Sequence, residues 1–174
     1  MSSTNNVLII DVEGDKIYTD PYFVDNVVTE LEKPNIDFVI GSDLHDEFNE
    51  YNNFISGFIP AGIKTMALKK LCNIKKSQNT ETGYREFFLN SKISKFEFLV
   101  LSDIYPKDLR LTLDYEEDLE FFTKIYNHFH KIHPEFSLED ALDWLNDNED
   151  IILINSHMTQ KTPNNLNLNV SLNI

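Results

Sequence analysis

The residues best suited to chemistry are two aspartates that each follow a short apolar segment. Asp15 comes after the mostly apolar run at residues 7–12, and Asp114 comes after the shorter Leu-Thr-Leu segment at residues 111–113. Carboxylate oxygens suit Mg²⁺, which keeps several waters and therefore needs only one or two protein carboxylates. If the fold brings Asp15 and Asp114 together, they form an oxygen-rich site suited to Mg²⁺ and a nucleotide triphosphate.

Each aspartate also has a simpler explanation. Asp15 follows Gly14, and this pair of residues is common in turns. Asp114 stands three residues before Glu117, so it could be the N-cap of a helix with an acidic first turn. The residues alone leave both alternatives open.

The elements around Asp15 are clear in the sequence. Residues 7–12 are apolar except for Asp11, and this run predicts a strand covered on both faces and placed in the middle of a sheet. Asp20 before Pro21 predicts a helix start, with the helix ending near Lys33. Residues 36–40 predict the next strand, and a strand-helix-strand unit is typical of a parallel sheet.

The rest of the chain predicts further helices and strands within one α/β domain. Two glycines and a proline in the apolar stretch 54–64 indicate a bent strand near a ligand. We expect the domain to span residues 1–155, with a helical C-terminal appendage from about 115 to 155 and an Asn-rich tail at 156–174. The further predicted elements are a helix from Thr65, a helix over 80–89, strands over 95–101 and 109–113, a helix from Asp114 to about His130, and a helix after the capping box of Ser137 and Asp140.

Composition restricts the class of partner. The formal net charge is −14, from 29 acidic and 15 basic residues, which disfavours a nucleic-acid backbone as the ligand. No apolar run reaches the length of a membrane helix, and the N-terminus lacks the pattern of a signal peptide. The single cysteine fits a reducing compartment, so we expect a cytoplasmic protein without membrane or nucleic-acid partners.

Several segments occur in an order that resembles a known family. Residues 12–21 look like a strand-ending Gly-Asp segment followed by a helix, and residues 110–119 look like a late segment in which an Asp precedes a helix. Residues 60–64 and 79–81 lie between them in the expected order. Together they resemble the cytidylyltransferases of sugar activation, which include spore-coat polysaccharide and acylneuraminate or Kdo cytidylyltransferase-like proteins. The resemblance covers about residues 7–155.

This resemblance implies a fold, a reaction and a set of site residues. The implied fold is a GT-A-like nucleotide-diphospho-sugar transferase, with a mixed, mainly parallel sheet flanked by helices. In the implied reaction, CTP and a sugar or sugar acid give a CMP-sugar and pyrophosphate. Asp15 and Asp114 match the positions that hold the divalent metal, taken to be Mg²⁺, whereas no catalytic residue is assigned. Gly62, Lys64 and Glu81 are the implied substrate-binding residues.

The chain also departs from the family at its beginning. Members open with a strand and a glycine-rich loop that wraps the nucleotide phosphates, and residues 1–6 do not resemble that segment. We therefore expect a truncated fold that is impaired or incomplete as an isolated chain. Without the first strands, residues 7–12 would form an exposed edge, which predicts a homo-oligomer or a partner chain there. Lys16 beside Asp15 could pair with it and take the place of the metal.

Two classes of function follow from these features. The first is a nucleotidyltransferase of nucleotide-sugar synthesis. The second is a non-catalytic domain, derived from the same fold, that binds a sugar nucleotide or a protein partner. An unrelated α/β interaction protein, in which the acidic motifs are only helix caps, is a third possibility.

Overall fold

The chain forms a small sheet with helices on both faces. The structure is a computed structural model, and it describes residues 7–41, 57–74, 88, 96–99 and 109–159. The predicted helix over 80–89 lies outside these residues except for Phe88. The described elements are β1 (Leu8–Asp11), α1 (Pro21–Glu32), β2 (Phe38–Gly41), β3 (Ala61–Lys64), α2 (Thr65–Ile74), β4 (Phe96–Leu99), α3 (Glu116–Phe129), α4 (Leu138–Asn146) and α5 (Glu149–Ile152).

The sheet has the strand order β1-β3-β2-β4. Strand β3 pairs antiparallel with both β1 and β2, whereas β2 and β4 are parallel. The sheet is therefore mixed, as predicted, but two of the three pairings among the described strands are antiparallel rather than mainly parallel. The reason is that β3 lies between β1 and β2. These two strands run in the same direction, because each opposes β3, yet they are not neighbours.

Strand β1 lies at one end of the described sheet, not in its middle. The prediction that both faces are covered is confirmed, because Leu8 and Ile10 pack against one core cluster and Ile9 packs against the other. An apolar run predicts that both faces of a strand are covered, but it does not predict a neighbouring strand on each edge. The predicted oligomer or partner chain at the β1 edge stays a prediction.

Helix α1 lies very close to β3. Helix α1 begins at Pro21 with Asp20 as its N-cap, as predicted, and the Asp20 side chain accepts a hydrogen bond from the Tyr22 main-chain N–H at 2.7 Å.

The packing of α1 on β3 depends on two of its apolar side chains. Val27 and Leu31 are fully buried against the sheet. A Cβ atom on Gly62 would lie 2.3 Å from Val27 Cγ1 and 2.7 Å from Leu31 Cδ1, so the absence of a side chain on Gly62 permits this packing.

Helices α3 and α4 share the core that α1 builds. Phe121, Ile125 and Leu145 are fully buried in the same cluster as Val27. The predicted capping box at the start of α4 is confirmed, because Ser137 and the third helical residue exchange hydrogen bonds. No helix in the described part of the chain is long and apolar enough to cross a membrane.

Candidate functional site

The fold brings the two predicted aspartate segments side by side. The main-chain N–H of Leu113 donates to the carbonyl oxygen of Asp15 at 2.9 Å. Asp15 lies in the turn that follows β1, and Asp114 comes directly after Leu113. Both aspartates are half-buried. The Asp15 and Asp114 segments therefore meet at the turn that follows β1.

The segment before α3 differs from its prediction. Within residues 109–113 only Arg110 pairs as a strand residue would, so the predicted strand is not regular. Helix α3 begins at Glu116 with Tyr115 as its N-cap, two residues later than predicted. Asp118 reaches back and accepts the main-chain N–H groups of Asp114 at 2.8 Å and Tyr115 at 3.0 Å. Asp114 is therefore not the N-cap of this helix, because Asp118 satisfies these N–H groups.

A buried network of charged and amide side chains supports this segment. We call Arg110, Asp114, Asp118 and Asn155 the Asp118 cluster. Arg110 donates to Asp118 through Nε at 2.9 Å and through Nη2 at 3.1 Å, and its Nη2 also donates to Asp114 Oδ2 at 2.5 Å. The side chain of Asp118 has no exposed surface, and those of Arg110 and Asp114 are 8% and 16% exposed. The geometry is that of a bidentate guanidinium-carboxylate pair extended to a second carboxylate.

The ionised forms of Asp118 and Arg110 are favoured although both side chains are buried. Burial alone would raise the pKa of Asp118, but hydrogen bonds from Arg110, from main-chain N–H groups and from Asn155 outweigh burial and hold the pKa below its usual value of 3.8. Burial would lower the pKa of Arg110, and the two neighbouring carboxylates more than offset that effect, so the pKa is raised. Arg110 and Asp118 therefore remain an ion pair at neutral pH.

Asn155 completes the Asp118 cluster from the far end of the described chain. Its Nδ2 donates to Asp118 Oδ1 at 2.9 Å and to the Arg110 carbonyl at 3.1 Å. Both partners are acceptors, so the amide nitrogen must face them and the orientation of the side chain is fixed by chemistry. As a result, Asn155 Oδ1 is buried without a hydrogen-bond partner in the described residues. Such an orphaned acceptor costs about 1–3 kcal/mol.

Sequence reasoning missed most of this cluster. Arg110, Asp114 and Asp118 are spaced four residues apart, and this spacing was a usable signal. Arg110 and Asp118 lie within the segment 110–119 that resembles the family, but the resemblance assigns a role only to Asp114. Nothing in the local sequence around Asn155 indicates that it contacts a residue 37 positions earlier.

The Asp15 carboxylate is not paired with its lysine neighbour. Lys16 Nζ lies 3.0 Å from Glu13 Oε2, because the turn at residues 13–16 brings its first and last residues together. The expectation that Lys16 pairs with Asp15 is therefore wrong. The described residues provide no ionic or hydrogen-bond partner for the Asp15 side chain.

The three predicted substrate-binding residues lie elsewhere or outside the described chain. Gly62 packs beneath α1, as described above. Lys64 is buried, and its Nζ donates to the carbonyl of Lys33 at 2.7 Å, at the C-cap of α1. Lys64 pairs with Leu8, at the end of β1 away from Asp15. Glu81 lies outside the described residues.

The side chains of Asp15 and Asp114 offer carboxylate oxygens as metal ligands. Two carboxylates fit Mg²⁺, which binds through one or two protein oxygens and keeps its remaining waters. They do not fit a transition metal that requires several nitrogen or sulfur ligands. Across residues 7–41, 57–74 and 109–159, no three His, Cys, Asp or Glu side chains are grouped so that they could hold a metal. The carboxylates of Asp15 and Asp114 are therefore candidate ligands for a hydrated cation.

A solved structure relates this arrangement to a known fold. It is described as the structure of a cytidylyltransferase from Leptospira borgpetersenii, and it matches this chain with a TM-score of 0.66 and 22% sequence identity. The chain shares the fold of a cytidylyltransferase. The match covers 89% of this chain and 61% of that protein. By sequence, no protein-family model and no curated protein matches the chain. The cytidylyltransferase fold agrees with the mixed sheet flanked by helices.

Proposed function

We propose that this chain is a GT-A-like nucleotidyltransferase domain that joins CTP and a sugar or sugar acid. The product would be a CMP-sugar for polysaccharide synthesis, and pyrophosphate would leave. The observation that carries the proposal is the position of Asp15. Its half-buried carboxylate has no partner in the described residues and stands beside the Asp114 segment through the Leu113–Asp15 hydrogen bond. The similarity to the fold of a cytidylyltransferase supports this assignment.

The proposed reaction places specific demands on these residues. A sugar hydroxyl oxygen would form a bond to the α-phosphorus of CTP while the bond from that phosphorus to the bridging oxygen breaks. Such a transfer depends chiefly on positioning and on neutralising the phosphate charge. Asp15 would hold Mg²⁺, with Asp114 as the second carboxylate. When bound, the metal would supply positive charge to the triphosphate.

The position of Asp114 is set by the protein rather than by the ligand. Arg110 Nη2 donates to Asp114 Oδ2, and the fully buried Asp118 holds Arg110 in place. A carboxylate held in this way keeps its geometry before the nucleotide binds, which reduces the ordering cost of binding. The Asp15 side chain, which has no such contact in the described residues, is the less constrained of the two proposed metal ligands.

One observation favours a second function. Asp114 shares its charge with Arg110 in an ion pair of which neither side chain is more than 16% exposed. A carboxylate neutralised by an arginine attracts a cation less strongly than one without such a partner. The alternative is a non-catalytic domain that binds a sugar nucleotide or a protein partner without turnover.

One experiment separates the two functions. The full chain is mixed with CTP, Mg²⁺ and a panel of sugar acids and sugars, and released pyrophosphate is measured beside calorimetric binding of CTP and CMP. Turnover supports the transferase, and binding without turnover supports the alternative. The Asp15→Asn variant should lose Mg²⁺-dependent binding in either case. Asp143→Asn, which changes an exposed carboxylate on α4, is the matched control and should bind normally. If neither CTP nor CMP binds, the transferase and the nucleotide-binding form of the alternative are both wrong.

A further inference from the structure

We propose that Asn155 is a positioning residue for the paired Asp15 and Asp114 segments. It acts through Asp118 and Arg110 and holds the segment before α3 in the position at which Leu113 meets Asp15. The consequence for nucleotide binding rests on the proposed function, whereas the consequence for the protein backbone does not.

The contacts form a continuous path from Asn155 to Asp114. The amide nitrogen of Asn155 donates to one oxygen of Asp118 at 2.9 Å. The same oxygen of Asp118 accepts Arg110 Nε at 2.9 Å, and Arg110 Nη2 contacts Asp114. Asn155 therefore supplies a donor to the carboxylate on which the guanidinium of Arg110 depends.

A second path runs through the backbone. Asn155 Nδ2 also donates to the main-chain carbonyl of Arg110 at 3.1 Å. Arg110 begins the segment that ends at Leu113, and the Leu113 N–H donates to Asp15. On its other side this segment is in close contact with Gly57, where an added Cβ would lie 2.3 Å from the Leu111 carbonyl oxygen. The segment is thus confined by Gly57 at its centre and tied by Asn155 at its start.

The state of the Asn155 side chain distinguishes this role from simple core filling. An apolar side chain at a fully buried position has no acceptor of its own that could be left unpaired. Asn155 instead leaves its own Oδ1 without a partner in the described residues, while its Nδ2 donates to two acceptors within residues 110–118. The side chain is therefore oriented so that its amide nitrogen binds Asp118 and the Arg110 carbonyl, while its own carbonyl oxygen has no partner in the described residues.

The test uses amide hydrogen exchange of the full chain, followed by NMR. Asn155→Leu keeps a similar volume but removes both donors. We expect exchange of the Leu113 amide to become about tenfold faster relative to the amides inside α4, because the Leu113–Asp15 contact opens locally. The matched control is Leu145→Ala, which leaves a cavity in the same helical region at a fully buried position. This control should change the exchange protection of the Leu113 amide and of the α4 amides to a similar extent.

Calorimetric binding of Mg²⁺-CTP provides the second readout. The affinity of Asn155→Leu should fall about tenfold, whereas folded Leu145→Ala should bind as the unmodified chain does. If Asn155→Leu does not fold, Asn155→Ser is measured instead, and a smaller but selective acceleration at Leu113 supports the proposal. Unchanged Leu113 exchange, relative to α4, overturns it. A selective response of Leu113 in a chain that binds no nucleotide would uphold the positioning role and reject only the proposed function.

Discussion

The main-chain N–H of Leu113 donates to the carbonyl oxygen of Asp15 at 2.9 Å. This hydrogen bond joins the turn after β1 to the segment before α3. It matters because the residue after Leu113 is Asp114, so a backbone contact places two carboxylate-bearing positions next to each other. The side chains of Arg110 and Asp118 then stabilise one of these positions from inside the protein.

Removal of Arg110 should be strongly destabilising. Arg110→Met leaves the fully buried Asp118 without its cationic partner, which typically costs about 3–5 kcal/mol of unfolding free energy. Urea denaturation followed by circular dichroism measures the change. Lys16→Met is the comparison, because its ion pair with Glu13 is partly exposed to solvent and should cost no more than about 1 kcal/mol. Equal effects of the two substitutions would contradict a structural role for the buried pair.

The cost of Arg110→Met should depend on pH. Because the pKa of Asp118 is lowered in the folded protein from its usual 3.8, its contribution to stability is present above pH 3.8 and is lost as pH falls through the lowered value. In Arg110→Met a main cause of that lowered pKa is absent. The difference in unfolding free energy between the two proteins should therefore shrink as the pH is reduced from about 7 to about 2. A difference that stays constant over this range would show that Asp118 is not the group that responds.

The close approach of α1 to β3 predicts a different mutational response at two glycines. Gly62→Ala places a methyl group 2.3 Å from Val27 Cγ1, and overpacking of this kind costs about 1–3 kcal/mol. Gly14→Ala is the control, because no atom lies within 4 Å of its added Cβ. Thermal unfolding of both variants makes the comparison. Combining Gly62→Ala with Val27→Ala should recover part of the loss specific to the clash. A loss that is only the sum of the two single effects would contradict this packing.

The sequence predicted the local features of this fold better than its pairings. Asp20 and Ser137 were identified as N-caps because capping depends on residues within one turn of the helix. The edge position of β1 and the insertion of β3 between β1 and β2 were not predicted, because strand order is decided by contacts between distant segments.

In the candidate site, too, the sequence predicted features that depend on nearby residues and missed those that depend on distant ones. Asp15 and Asp114 were chosen from their places after apolar segments, and the structure brings those segments together. Asn155 could not be chosen, since its partners Asp118 and Arg110 are distant in sequence. The suggested pair of Asp15 with Lys16 was wrong for a local reason: adjacent residues in a turn point apart, whereas positions three apart meet.

Tyr18 should make stability depend on pH in the alkaline range. Its ring packs against Phe122 and Phe136 at centroid distances of 5.3 and 5.7 Å, and burial raises its pKa from 10.0 to about 12. A raised pKa in the folded state means that the stability contribution is complete below pH 10 and is lost as pH rises toward 12. Tyr18→Phe, which keeps the ring but cannot ionise, should lose less stability over this interval. Tyr126→Phe is the control, because Tyr126 is 58% exposed. Urea denaturation at successive pH values measures the slopes, and identical slopes for the two variants would contradict the role of Tyr18.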